Sequence, residues 1–168
     1  MFKGLKNLFS QEGSNSINIK SPFNGDLIPL SEVSDITFAD EMVGKGAAVV
    51  PSEGYAKAPV DGKIVSAFKT GHAFTMVSSE GVEILVHIGL DTVNLKGEHF
   101  EVLVKDDQPV KQGDNVIKFD IEKIKELGYD VTSPVVVCNY TDYKEVNGVV
   151  SLGSKKVDYG DEIIEIVK

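Results

Sequence analysis

A chain of 168 residues is the size of one domain, and 42% hydrophobic with 26% charged residues is the make-up of a globular one. No apolar run approaches the ~20 residues of a membrane-spanning helix. A formal net charge of −9 argues against nucleic acid as a partner and favours encounter with a basic protein.

Residues 1–18 read as a flexible tail. Phe2, Leu5 and Phe9 recur at helical spacing with Lys3 and Lys6 between them, the pattern of a weak amphipathic helix that lies on a membrane surface. Ten residues are few for a helix on its own. Met1 to Ser10 lacks the continuous apolar core and small-residue cleavage site of a secretory signal, so the expected location is cytoplasmic. Gln11 to Ser16 is polar and linker-like.

From 19 to 168 the chain reads as one domain of strands. Short β-branched runs end at Gly, Asn, Asp or Pro: Lys63 to Phe68, Gly81 to Ile88, Asn115 to Phe119, Ser133 to Val137 and Glu162 to Val167. Two helical pieces interrupt them. Ile36 to Met42 has room for a turn, and Ile121 to Leu127 has Asp120 to cap it and Gly128 to end it. Two patterns occur twice. Ser21-Pro-Phe-Asn-Gly-Asp-Leu27 resembles Ala58-Pro-Val-Asp-Gly-Lys-Ile64, 37 residues on, and Gln112-Gly-Asp-Asn-Val-Ile117 resembles Tyr159-Gly-Asp-Glu-Ile-Ile164, 47 residues on. A solenoid would keep one period. Unequal spacing fits either chance use of a common turn or an all-β fold, an antiparallel β-sandwich or barrel with internal duplication and one or two short helices. The single cysteine, Cys138, sits in an apolar run and reads as a small buried hydrophobe.

If Gly81 to Gly89 is a strand, Val82, Ile84, Val86 and Ile88 share the core face, while Glu83, Leu85 and His87 share the other. Ala73 to Ser78 pairs with it as a hairpin through residues 79–81, with Met76 across from Ile84. His72 and His87 then meet at one end. Such a pair admits three readings: two ordinary histidines, a metal site, or a nucleophilic imidazole. Asp91 follows His87 by four residues, as a zinc ligand does, but there is neither a His-x-His nor a His-Glu-x-x-His. A nucleophile needs one nitrogen free. A backbone carbonyl accepting the Nδ1 proton leaves Nε2 free to attack, and a neighbouring imidazole can bond the oxygens of a phosphoryl group. His99 carries no such pattern.

Thr70-Gly-His72-Ala-Phe74, Val86-His87-Ile-Gly89-Leu-Asp91-Thr-Val93 and Leu95-Lys-Gly97-Glu-His-Phe100 together resemble the glucose-class enzyme IIA family of the bacterial sugar phosphotransferase system. The likeness runs from about Ile17 to the C-terminus. It implies that residues 19–168 are a single IIA domain acting without cofactor or resident metal. It further implies that His87 accepts a phosphoryl group from the carrier HPr and donates it to a cysteine on the IIB domain of a sugar permease. His72 would stabilise the group in transit, Thr70 orient His72, the Gly89 carbonyl hold His87 Nδ1, and Asp91 border the site. An apolar docking face falls on Ile36, Phe38, Met42, Val43, Phe68, Leu85 and Val93. Some members also regulate transporters or metabolic enzymes, and the membrane is reached only through the permease or the tail. The chain departs from the family at Leu85, where an aromatic is familiar, and at Gly71, where a polar residue is. The rival expectation is a non-catalytic regulatory module that uses the apolar face around His87.

Overall fold

The computed structural model describes residues 15–150 and 152–168. The amphipathic pattern of Phe2, Leu5 and Phe9 falls outside these residues. The expected tail boundary at 18 is moved: β1 (Ser16–Lys20) begins earlier, because Ile17 and Ile19 alternate into the core and the strand pairs with the C-terminal β14 (Glu162–Val167).

The chain then runs through β2 (Gly25–Pro29), α1 (Ile36–Ala39), β3 (Lys45–Pro51), β4 (Tyr55–Lys57), β5 (Gly62–Ala67), β6 (Ala73–Ser78) and β7 (Glu83–His87). It continues with β8 (Phe100–Val102), β9 (Pro109–Val110), β10 (Asn115–Phe119), α2 (Ile121–Glu126), β11 (Ser133–Val137), β12 (Glu145–Gly148), β13 (Lys155–Val157) and β14. All strand pairs among the described residues are antiparallel. They form one eight-stranded sheet, β13-β2-β3-β11-β7-β6-β5-β9, and two three-stranded sheets, β1-β14-β12 and β4-β10-β8. The fold is thus the expected antiparallel all-β sandwich with two short helices. Asp120 caps α2 by accepting from Lys123 N, and Gly128 follows it in left-handed backbone. The turn expected over 36–42 is shorter, because Glu41 takes a φ of 59° and breaks it.

The duplication is visible as matched hydrogen bonds. Lys20 N donates to Pro59 O at 3.1 Å, and Lys57 N donates to Pro22 O at 2.9 Å. Ser21 N donates to Asp161 O at 2.7 Å, and Ala58 N to Asp114 O at 2.9 Å. The side chains of Asn24 and Asp61 repeat the correspondence: Oδ1 of each accepts from the amide before a Gly-Asp pair, Tyr159 N at 2.6 Å and Gln112 N at 2.8 Å. Two copies of one supersecondary unit therefore pack against each other, each binding the other's turn. Ile19, Phe23, Leu27, Ile64, Phe74, Met76, Ile84 and Ile164, all fully buried, fill the space between the sheets. Each such side chain contributes roughly 1.5–3 kcal/mol by leaving water.

A second, smaller cluster covers the outer face of the large sheet. Leu30, Val33 and Phe38 from the segment around α1 pack on Ala48, Leu90 and Val136, with Val43, Leu85 and Cys138 at its margin. This layer brings α1 over β7.

Candidate functional site

The hairpin of β6 and β7 has the register the alternation predicts, with Met76 opposite Ile84 and Ala73 opposite His87. One further bond, Ile88 N to His72 O at 2.7 Å, carries the pairing past the strand ends and fixes His72 beside His87. The core face of the strand is Val82, Ile84, Val86 and Ile88, all buried, while Leu85 and His87 lie half-buried on the other. The two imidazole centroids are 5.2 Å apart with planes at 78°. Ring contacts join these two histidines, whereas His99 precedes β8 in another sheet.

Each ring is held by its Nδ1. His87 Nδ1 lies 2.7 Å from the Gly89 carbonyl oxygen, so it must donate and carry the proton, and Nε2 is left with its lone pair. His72 Nδ1 lies 2.5 Å from Thr70 Oγ1. Aromatic walls flank the pair: Phe38 stands 5.1 Å from His87 and Phe68 stands 5.3 Å from His72, centroid to centroid. Among the apolar residues expected on a docking face, Ile36, Met42, Phe68 and Val93 are exposed, and Val43 and Leu85 are half-buried. Phe38 differs. It is only 5% exposed, anchored in the outer cluster with its ring against His87, so it walls the site rather than standing out from it.

Burial sets the charge of the pair. His72 is pulled down to about 4, first by desolvation and then by His87. His87 also lies below its usual value through desolvation, against the opposing effects of its bond to Gly89 and of the Asp35 and Asp91 carboxylates. Both rings are neutral at neutral pH. Asp35 escaped the sequence reading. Its signal was an Asp directly before the Ile36 turn, where it caps α1 by accepting from Thr37 N at 3.0 Å. Asp35, Ile36, Asp91 and Asp130 line one polar cleft beside the pair. The Cys138 thiol is free and half-buried, and burial and Glu83 push its pKa up, which disfavours the thiolate. Among the described residues no group of three or more His, Cys, Asp or Glu side chains is placed to hold a metal ion. No described helix is long and apolar enough to cross a membrane.

Residues 17–143 match the family phosphoenolpyruvate-dependent sugar phosphotransferase system, EIIA 1. The chain is 42% identical over 149 residues to a PTS system glucose-specific EIIA component from Oceanobacillus iheyensis, covering 89% of this chain and 90% of that protein. It is 47% identical over 132 residues to a PTS system beta-glucoside-specific EIIBCA component from Bacillus subtilis, covering 79% of this chain and 22% of the other. A similar component from Dickeya chrysanthemi is 42% identical, with 88% of this chain and 23% of that protein covered. The chain thus spans less than a quarter of the length of these beta-glucoside relatives. Among solved structures, glucose permease IIA from Mycoplasma capricolum superposes with a TM-score of 0.77 at 36% identity, over 89% of this chain and 95% of that one.

Proposed function

Since the chain belongs to the EIIA 1 family of the phosphoenolpyruvate-dependent sugar phosphotransferase system, and so is a phosphotransferase component, we propose that His87 is its phosphoryl carrier in sugar uptake. The observation that supports this is the bond from His87 Nδ1 to the Gly89 carbonyl, which leaves Nε2 unprotonated beside a second neutral imidazole. The Nε2 lone pair attacks phosphorus on phosphohistidine of HPr. The new N–P bond forms as the donor's N–P bond breaks, and the donor nitrogen keeps the electron pair. In the second step a cysteine thiolate of a IIB domain attacks the same phosphorus, and His87 Nε2 leaves with its pair. A IIB partner is supported by the beta-glucoside relatives, whose names join EIIA to EIIB and EIIC in one component.

His72 acts on the moving group. With the Thr70 hydroxyl donating to Nδ1, His72 carries its proton on Nε2 and offers it to a phosphoryl oxygen. Such a donor is stronger in the transition state, where charge spreads onto those oxygens. The exposed Ile36, Met42, Phe68 and Val93 form the collar against which each partner excludes water.

Incubation with enzyme I, HPr and phosphoenolpyruvate tests the reading. One acid-labile, alkali-stable phosphoryl group is expected, and His87→Ala abolishes it. His72→Ala still accepts label but passes it to IIB about 10²–10³-fold more slowly. Label persisting in the His87→Ala protein, or normal onward transfer by the His72→Ala protein, would overturn the corresponding assignment.

A further inference from the structure

Gly89 aims His87, and glycine is a poor pointer. It has no Cβ to restrict φ and ψ, and here φ is +75°. Its carbonyl can hold His87 Nδ1 only if the two peptide planes that meet at Gly89 are fixed from elsewhere. Both are. In the 89–90 plane, Leu90 N donates to Asp130 O at 2.9 Å while the Gly89 carbonyl accepts from His87. In the 88–89 plane, Gly89 N donates to Ser133 Oγ at 3.1 Å and the Ile88 carbonyl accepts from Thr92 Oγ1.

Ser133 is the side chain in this clamp that comes from a distant strand. It opens β11, is wholly buried, and its hydroxyl proton goes to Val131 O at 2.8 Å. The hydroxyl is thereby oriented with a lone pair toward Gly89 N. The turn has no slack: a Cβ on Gly89 would lie 2.7 Å from Thr92 Cγ2 and 3.1 Å from Asp130 O.

We propose that Ser133 is a positioning residue for His87: by holding the 88–89 peptide plane it locks Gly89, aims the Gly89 carbonyl at Nδ1 and keeps Nε2 unprotonated. The inference rests on the reading of His87 as the phosphoryl acceptor. Without the Ser133 bond only Thr92 Oγ1 holds the 88–89 plane, so the Gly89 turn loosens, the bond to Nδ1 weakens, and His87 shifts toward the tautomer with its proton on Nε2, which has no lone pair to attack with.

Nitrogen-15 NMR of the labelled full chain at pH 8 reads the His87 tautomer directly, and single-turnover uptake from phospho-HPr reads the consequence. Ser133→Ala is expected to raise the Nε2–H fraction and slow uptake on the order of tenfold, as for groups that orient metal-bound histidines. The loss should fall on the maximal rate, since the docking face is untouched. Ser133→Thr, which keeps the hydroxyl, should restore both. If circular dichroism shows that the alanine variant fails to fold, Ser133→Cys, a weaker acceptor of similar size, replaces it. A folded Ala or Cys variant with unchanged tautomer, or a Thr variant as impaired as either, would overturn the proposal. A wild-type protein that takes no phosphoryl group, while its tautomer still follows residue 133, would refute the carrier reading and support the clamp.

Discussion

At the scale of single residues, the site solves a charge problem. Two imidazoles 5.2 Å apart cannot both be protonated without repulsion, and a protonated His87 would have no lone pair for the proposed attack. Desolvation keeps both neutral, at a cost that appears in acid. For His72 the sign is clear. Its folded pKa, about 4, lies below the unfolded 6.5, so between these values the unfolded chain binds more protons. Stability should therefore fall as pH drops from 6.5 toward 4. Urea unfolding of wild type and His72→Asn across that window is the check. The variant should show a flatter acid slope, and equal slopes would mean that His72 titrates normally. The same reasoning sets the rate profile. His87 is held below 6.5, so uptake from phospho-HPr should stay level down to about pH 6.5 and decline only in more acid solution.

At the scale of elements, the fold rests on two copies of a strand–turn–strand unit, and each copy needs a glycine where its second strand begins. A Cβ on Gly25 would lie 2.0 Å from Val50 O, and one on Gly62 would lie 2.1 Å from Val77 O. The first residue of β2 against β3 thus repeats the first residue of β5 against β6. Gly25→Ala and Gly62→Ala should each cost about 1–3 kcal/mol or more, by similar amounts, because backbone rather than a flexible side chain blocks the methyl. Chemical denaturation measures it, and a neutral outcome at either position would show that the two units are not equivalent. The repeats were legible because Pro, Asn-Gly and Gly-Asp are turn chemistry that survives in one sequence. The strands β10, β11 and β14 were legible from their β-branched runs. β3 carries little such signal: a Cβ on Gly46 would lie 2.1 Å from Val135 O of β11, and Ala48 lies under the outer cluster, so both are small. The histidine pair followed from strand alternation plus one turn length. The clamp of Ser133 on Gly89 spans 44 residues and one hydrogen bond, and nothing in the local pattern announces it. Phe38 was placed in the site but not in its true setting, because a lone Phe in a single turn has no period that tells a buried wall from an exposed anchor.

At the scale of the whole molecule, the charge is set against the cargo. The chain carries a net charge of −9, and Asp35 and Asp91 act on the His87 imidazole. On the proposed role of His87, a phosphoryl group added there places more negative charge in an acidic neighbourhood. That arrangement is poor for binding a free anion, but it suits a carrier in two ways. Repulsion weakens the hold on the group, which favours passing it on. It also selects partners whose contact surface is basic, because only these lower the local potential as they dock. The proposed collar of exposed Ile36, Met42, Phe68 and Val93 would make no such distinction, so on this reading charge sets the encounter rate and apolar contact the lifetime. The rate should therefore depend on salt. Screening shortens from ~30 Å at 0.01 M to ~8 Å at 0.15 M, so the second-order rate of uptake from phospho-HPr should fall severalfold across that range. In the double variant Asp35→Asn, Asp91→Asn the slope should flatten while the fold persists. Asn at 35 still accepts the capping bond from Thr37 N, and Asn tolerates the left-handed backbone at 91, where φ is 61°. Stopped-flow transfer at a series of salt concentrations measures both slopes. A wild-type rate that ignores salt, or a double variant with the wild-type slope, would show that the two carboxylates do not steer the encounter.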